Sequence, residues 1–277
     1  MKSLKTLVSD VYALFNPKVA VTPRQEDLDT FADNVKKMIV TRLDENKHPP
    51  GLRMSNIGKV CNRELWYIKN KPEAAETMEP STYIKFLFGD IIEHLLIFLI
   101  RTAGHTVTNE QEELSIQGIK GHIDGVVDGI VCDVKSASSQ SFKKFETGLS
   151  AKDDGFGYRT QLGLYKYSKL GKTDDPAAFI ALDKQLGKIC IDVHTDLNDI
   201  NYERLVAERK AVVDLPTPPA RAFDDVPEGK SGNMRLGTNC GYCAFKKTCW
   251  PGVRTFVYSA KPMYLTKVVR LPDVPEV

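Results

Sequence analysis

Residues 121–136, Gly-His-Ile-Asp-Gly-Val-Val-Asp-Gly-Ile-Val-Cys-Asp-Val-Lys-Ser, constrain this chain more than any other stretch. Two short β-branched segments, 121–127 and 130–135, flank Asp128-Gly129, a dipeptide favoured in two-residue type I′ turns because both central residues take positive φ. Such a loop fixes the register: Val127 faces Ile130, and counting back places Asp124 opposite Asp133. Opposed residues hold their Cβ atoms roughly 4.5–5.5 Å apart, and like charges there destabilise the ladder. Strand alternation puts Asp133 and Lys135 on one face and Ile130, Cys132 and Val134 on the other. Two carboxylates forced together beside one lysine are costly unless something uses them, and a divalent cation is the simplest such thing.

The rest of the composition is that of an ordinary globular chain. Its 277 residues are 42 % hydrophobic and 27 % charged, enough to bury a full core as one large domain or two small ones. The apolar stretch 91–100 is interrupted by Glu93 and His94 and falls short of the ~20 residues a membrane span needs. The first residues, MKSLKTLVSDVYALF, lack a continuous apolar run and a small-residue cleavage site, so no secretory signal and a cytoplasmic location are expected. A net charge of +2 singles out no partner. Residues 229–277, however, carry eight Lys or Arg against Asp273 and Glu276, a balance compatible with a polyanion such as nucleic acid.

Periodicity predicts helices first. Thr22-Pro23 reads as an N-cap and first helical residue, with Leu28, Phe31, Val35, Met38 and Ile39 on one apolar face and an end before His48-Pro49-Pro50-Gly51. A second helix is expected over 55–70 and a third over 82–103, followed by strands near 106–110, 121–127 and 130–136. Residues 137–157 read as a polar loop with a short helix. A helix over 158–170, a strand pair over 177–183 and 188–194, and a helix over 199–214 complete the pattern, and 216–219 opens an irregular, cysteine-bearing tail. The expected fold class is α/β, with a mixed, largely antiparallel sheet flanked by helices. It divides into an N-terminal helical region (1–54), a core (55–215) and a C-terminal segment (216–277) packing back on the core.

Six cysteines are present. In a cytosolic chain of this size disulfides are not expected, and Cys132 and Cys190 lie in apolar strand segments that read as core. Cys240-Gly-Tyr-Cys243 is a chelating pair, Cys249 follows after five residues, and Cys61 is the obvious fourth donor. Four thiolates suit zinc or an iron–sulfur cluster, and spacing does not choose between them.

Other residues accumulate around the hairpin. Phe88-Gly89-Asp90-Ile91-Ile92-Glu93-His94 places a carboxylate and an imidazole inside an apolar helix, where a charge should be exposed, paired or coordinating. Gln161 and Tyr165, four apart on a helix, share a face. Together GHIDG, DVKSAS and FGYRTQLGLY resemble the PD-(D/E)xK nuclease superfamily, in particular RecB-like and phage lambda-type exonucleases. The cysteine layout resembles the iron–sulfur subset, which includes AddB-type nuclease domains and CRISPR-adaptation exonucleases. The resemblance spans about residues 55–251 and implies a restriction-endonuclease-like core with a cysteine-stapled C-terminal segment. It implies catalytic roles for Glu93, Asp124, Asp133 and Lys135, with Glu93 or His94, Asp124 and Asp133 as metal ligands. It also implies substrate contacts from Gln161 and Tyr165, and a 4Fe–4S cluster, with zinc as the alternative, on Cys61, Cys240, Cys243 and Cys249.

The chemistry follows from the same residues. Phosphodiester hydrolysis needs an activated water, charge neutralisation at the phosphate and help for the leaving oxygen. Magnesium or manganese on hard carboxylate oxygens supplies the first two, and Lys135 orients the water or balances phosphate charge. The Val134 carbonyl, between Asp133 and Lys135, is an extra metal ligand on this reading. Lys143, Lys144 and Lys152, with Tyr158 and Arg159, would track a single strand through phosphate contacts and stacking, with Ser136 as a further candidate DNA contact. The expectation is a metal-dependent DNA exonuclease. Because FLFGDIIEHLL with GHIDG, DVKSAS and FGYRTQLGLY looks most like phage-encoded recombination members, the resemblance implies a phage-encoded enzyme working in the host cytoplasm on a single-stranded DNA end, in recombination, repair or end processing, with a single-strand annealing or binding protein as partner. A CRISPR-adaptation-type nuclease and a non-catalytic DNA-binding or structural protein with a zinc staple are the alternatives.

Overall fold

The structure, a computed structural model, describes residues 2–18, 20–44, 50–259 and 262–277. The elements run α1 (Leu4–Ala13), α2 (Gln25–Leu43), α3 (Met54–Ile57), α4 (Asn62–Asn70), α5 (Pro80–Thr102), β1 (Val107–Thr108), β2 (Glu113–Ile116), β3 (Ile119–His122), β4 (Gly125–Val127) and β5 (Ile130–Ala137). They continue with α6 (Ser139–Glu146), α7 (Tyr158–Leu170), β6 (Ala177–Asp183), β7 (Ile189–His194), α8 (Tyr202–Val213), β8 (Asp225–Pro227), β9 (Met234–Leu236), α9 (Thr238–Gly241), α10 (Lys246–Cys249), β10 (Arg254–Val257) and β11 (Pro262–Lys267). The chain divides into two compact units: Met1–Pro49, Arg53–Gly58 and Glu79–Ala207 form one, and Pro50–Leu52, Lys59–Met78 and Glu208–Val277 form the other.

The first unit is built on a five-stranded sheet in the order β1-β4-β5-β6-β7, flanked by helices. Every pairing is antiparallel except β5 with β6. A parallel pair cannot be closed by a hairpin and needs a long crossover; residues 138–176 supply it and carry α6 and α7. On one face, Leu4, Leu7 and Val11 of α1 and Leu96, Ile97 and Ile100 of α5 pack on Val127, Cys132, Val134, Ala178 and Ile180. Burying each such Leu or Ile stabilises by about 1.5–3 kcal/mol. The other face receives α6 and α7, with the Phe145 ring edge-on to Phe179 at 5.4 Å.

The hairpin forms as its sequence requires. Asp128 and Gly129 take φ of 50° and 86°, and Val127, Val126 and Gly125 pair with Ile130, Val131 and Cys132. His105 pins this turn: its Nδ1 lies 2.7 Å from Asp128 Oδ2, and its Nε2 lies 3.2 Å from Asp10 Oδ2 on α1.

Several boundaries differ from the sequence expectation. The strand expected over 121–127 is two strands in two sheets, β3 pairing with β2 and β4 joining the main sheet. The Ile123 amide still donates to Glu112 O (3.1 Å), in register with the β2–β3 pairs, before the chain passes through Asp124 to β4. The helix expected over 55–70 is split into α3 and α4, because Gly58 lies against the Gly157 backbone so closely that a Cβ would stand 2.6 Å from Gly157 O. Val60, an apolar residue of that stretch, is exposed. The Thr22 cap is displaced to Arg24, whose guanidinium holds Asp27. The 106–110 strand shrinks to β1 because Asn109 and Gln111 turn to positive φ, and the 199–214 helix starts only at Tyr202. Of the stretch 48–51 expected to end the first long helix, His48 and Pro49 lie outside the described residues.

The second unit corrects the expectation of an irregular tail. It holds a four-stranded antiparallel sheet, β10-β11-β9-β8, and a core of Trp66, Tyr67 and Phe245 in which the Tyr67 and Phe245 rings stack at 5.4 Å. Trp66 Nε1 donates to Leu215 O (2.8 Å). Part of the basic tail is neutralised locally, Lys246 by Glu76 (2.5 Å) and Arg254 by Glu276 (2.6 Å). No helix among the described residues is long and apolar enough to cross a membrane.

Gly163 is the tightest steric demand in the first unit. A Cβ there would overlap the Tyr202 ring and hydroxyl, and that hydroxyl donates to Leu197 O (2.7 Å). Gly163→Ala should therefore lower stability by about 1–3 kcal/mol through overpacking, read as a reduced midpoint in urea unfolding at unchanged slope.

Candidate active site

Alternation along β5 sends Cys132 and Val134 into the core beneath α5, while Asp133 and Lys135 point to the α7 side. Lys135 Nζ lies 2.5 Å from Asp133 Oδ2. Across the hairpin, Asp124 sits one residue beyond the last pair of the ladder, in the register counted from the turn. Its carboxylate reaches across to accept from the Val134 amide (2.6 Å), so it caps the ladder rather than extending it. Burial, then the charges of Glu93 and Asp133, push its pKa well above the usual carboxylate range. Burial also raises Asp133, with Lys135 opposing. Burial works against the Lys135 charge, but Asp133 and Asp124 outweigh it and hold the ammonium above its ordinary range.

Helix α5, started by Pro80 at its first turn, delivers Glu93 and His94. The two behave differently. Glu93 is pushed up to about 7 by burial and by Asp133, with Lys135 opposing, and its Oε1 accepts from Gln111 Nε2 (2.6 Å). His94 is buried and held below its ordinary pKa by burial, and its charged neighbours are Glu110 and Asp90. Electrostatically it is Glu93, not His94, that belongs with the two hairpin acids.

The crossover helix α7 covers the same face. Its first turn is fixed by Asp154, whose carboxylate accepts from the Tyr158 and Arg159 amides (2.8 Å each). Gln161 Nε2 donates to Asp133 Oδ1 (3.2 Å) and to the Tyr165 hydroxyl (2.9 Å), so this pair braces the acid from above. Tyr165 is raised by burial and then by Asp133 and Asp124. The Tyr158 ring lies 4.8 Å from Lys135 Nζ. Arg159 is turned to other work: it donates to Leu149 O (3.0 Å), lies 2.6 Å from His194 Nδ1, and pairs with Asp196 (2.7 Å). Ser136 is half-buried further along β5. Sequence reading missed Gln111, which holds Glu93, because no local pattern marks a residue whose partner lies 18 positions away.

In the second unit Cys61, Cys240, Cys243 and Cys249, all free thiols, line one cavity with Tyr67, Phe245 and Trp250. Burial pushes Cys243 up to about 12, while its sulfur accepts from the Phe245 amide (3.4 Å). Cys240 is raised by burial and then by the charge of Cys61. Cys132 lies in the sheet core as the sequence suggests, whereas Cys190, also expected in the core, is only half-buried on β7.

Among the described residues, no group of three or more His, Cys, Asp or Glu is arranged to hold a metal ion. The donor chemistry nevertheless suits two different metals. Three mutually repelling carboxylates with a single lysine form a hard oxygen set short of positive charge, and four thiols around one cavity form a soft set.

No family model matches the chain, and no curated protein matches it. Among solved structures it is similar to one described as the crystal structure of SSO0001, with a TM-score of 0.45 and 17 % identity over 79 % of this chain and 95 % of that one. The mixed α/β class itself is evident from the sheet and its flanking helices.

Glu93 has a pH signature. Its proton is bound more tightly in the folded chain than in the unfolded one. Its contribution to stability is therefore complete below its ordinary value of 4.5 and is lost as pH rises through about 7. In chelator, the thermal midpoint should fall between those pH values, and Glu93→Gln should flatten the fall. An unchanged slope in the variant would assign it to other groups.

Proposed function

We propose that this chain is a metal-dependent DNA exonuclease that hydrolyses phosphodiester bonds in recombination, repair or end processing. The observation that carries the reading is the convergence of Glu93, Asp124 and Asp133 with Lys135, in which Asp133 raises Glu93, Glu93 and Asp133 raise Asp124, and the acids keep Lys135 charged, beneath a Gln161–Tyr165 brace. Buried charge of this kind is expensive for stability and clusters where chemistry uses it.

Glu93, Asp124, Asp133 and the Val134 carbonyl would hold a magnesium or manganese ion, which when bound supplies Lewis acidity and a water of lowered pKa. Asp133 is oriented for that task by Gln161, and Asp124 by the Val134 amide. Lys135, kept charged by its acidic neighbours, balances the phosphate and positions the attacking water. A DNA strand with a single-stranded end is the substrate, and the host cytoplasm is the location that goes with a phage-encoded recombination enzyme. Cys61, Cys240, Cys243 and Cys249 hold a 4Fe–4S cluster that staples the second unit, with zinc as the competing occupant.

End-labelled single- and double-stranded DNA incubated with magnesium or manganese tests the reading directly. Wild type should shorten the label progressively, and Lys135→Ala should lose about 10²–10⁴-fold in rate at a temperature where circular dichroism shows it still folded. A wild type that degrades neither substrate, or a variant that matches it, would overturn the assignment. For the cysteines, anaerobically purified protein should be brown and contain iron, and Cys243→Ser should lose both colour and thermal stability. Colourless protein containing zinc would replace the cluster with zinc.

A further inference from the structure

Among the described residues five lysine or arginine groups lie against aromatic rings, and one of them, Lys135, belongs to the acid cluster. Its Nζ stands 4.8 Å from the centre of the Tyr158 ring. Such contacts are common in folded chains and by themselves mark no function. Three observations set this one apart.

The ring has a fixed seat. Tyr158 opens α7, and its amide is held by the Asp154 carboxylate (2.8 Å). The preceding Gly157, at φ 79°, lies against Gly58, where any Cβ would overlap that backbone. Phe145, buried on α6, sits 6.2 Å from the Tyr158 ring with the planes 31° apart, and is itself edge-on to Phe179 of β6 at 5.4 Å. The face met by Lys135 is therefore placed by a clamped backbone and by the aromatic packing on the sheet.

Next, the attraction of the acids for Lys135 is not constant. Lys135 Nζ lies 2.5 Å from Asp133 Oδ2, and the acids keep it charged. Glu93, Asp124 and Asp133 formally leave the cluster short of two positive charges, which a divalent ion supplies in full. Once Asp133 is shared with such an ion, the ammonium meets a dication instead of an excess of negative charge. Finally, a way out is open: the lysine side chain is 17 % exposed, and an ammonium is strongly hydrated. The pull of the neutral ring is the one that ion binding at the carboxylates leaves intact.

We propose that Tyr158 is a positioning residue whose ring face keeps the Lys135 ammonium at the acid cluster when a divalent ion occupies the carboxylates. The inference rests on the nuclease reading and adds to it a residue that acts through Lys135. Tyr158 serves the step at the phosphate and not the binding of DNA, so its loss lowers kcat and leaves KM where it was.

The test uses the full chain labelled with carbon-13 at the lysine ε-carbon. Protons above an aromatic face resonate upfield, so one ε-methylene signal should stand upfield of the other lysines and vanish in Lys135→Ala. It should stay there when magnesium is added to saturation. It should rejoin the other lysines in Tyr158→Leu and remain upfield in Tyr158→Phe, which keeps the ring face. With single-stranded DNA and magnesium, Tyr158→Leu should lose about tenfold in kcat at nearly unchanged KM, and Tyr158→Phe should recover most of that loss. Circular dichroism at the assay temperature checks that each variant is folded. Where Leu does not fold, Tyr158→Met fills the gap without a π face and should behave as described for Leu.

A Lys135 signal among the other lysines, or one that leaves its upfield place when magnesium is added, would overturn the positioning role. So would a Tyr158→Leu variant with the kcat of wild type, or one that raises KM alone, which would make the ring a DNA contact. A Phe variant as impaired as Leu would assign the effect to the hydroxyl and overturn it too. Any of these beside an active wild type removes this inference and leaves the nuclease reading. Wild type that degrades no DNA removes both.

Discussion

The parallel pairing of β5 with β6 governs how the first unit is arranged around its acids. Two adjacent parallel strands oblige the chain to climb back over one face of the sheet before re-entering it. That return path is α6, the clamped connection and α7. Its landing place is the face to which alternation has already committed Asp133 and Lys135. Gln161, Tyr165 and Tyr158 reach the acids because the topology leaves α7 nowhere else to pack.

The same placement explains how the charges are tolerated. Removing carboxylates from water is costly, and one lysine cannot balance three of them. The fold meets part of the cost with directed hydrogen bonds: Val134 N to Asp124, Gln161 to Asp133 and Gln111 to Glu93. What is left over appears as raised proton affinity at all three acids. The cysteine cavity differs in kind. There Cys240 and Cys243 are raised by burial in a cavity with aromatic lining, and directed polar contacts are fewer.

Local chemistry was legible in the sequence, and long-range packing was not. The Asp128-Gly129 turn announces its own register, and the structure keeps it through Gly125 and Cys132. The limits of α7 and β6 follow from apolar periodicity bounded by glycine and proline. The four cysteines could be grouped by spacing, and they do line one cavity. The break between α3 and α4 was hidden because its cause, Gly157, lies about a hundred residues away. Gly163 was unexplained for the same reason, its partner being Tyr202. The second sheet was missed because β8 and β9 are three residues each, too short for alternation to rise above background. Glu93 and His94 are neighbours in sequence, and only their different surroundings separate them.

The Asp10–His105–Asp128 bridge changes the status of the N-terminal helix. Through it α1 grips the turn that aligns β4 with β5, and Tyr12 on the same helix accepts from the Ile189 amide (2.8 Å) at the start of β7. The helix thus holds two separate points of the sheet, one of them the corner from which Asp124 and Asp133 are aimed. For an engineer trimming or fusing this protein, the first dozen residues are part of the scaffold that aims those two carboxylates.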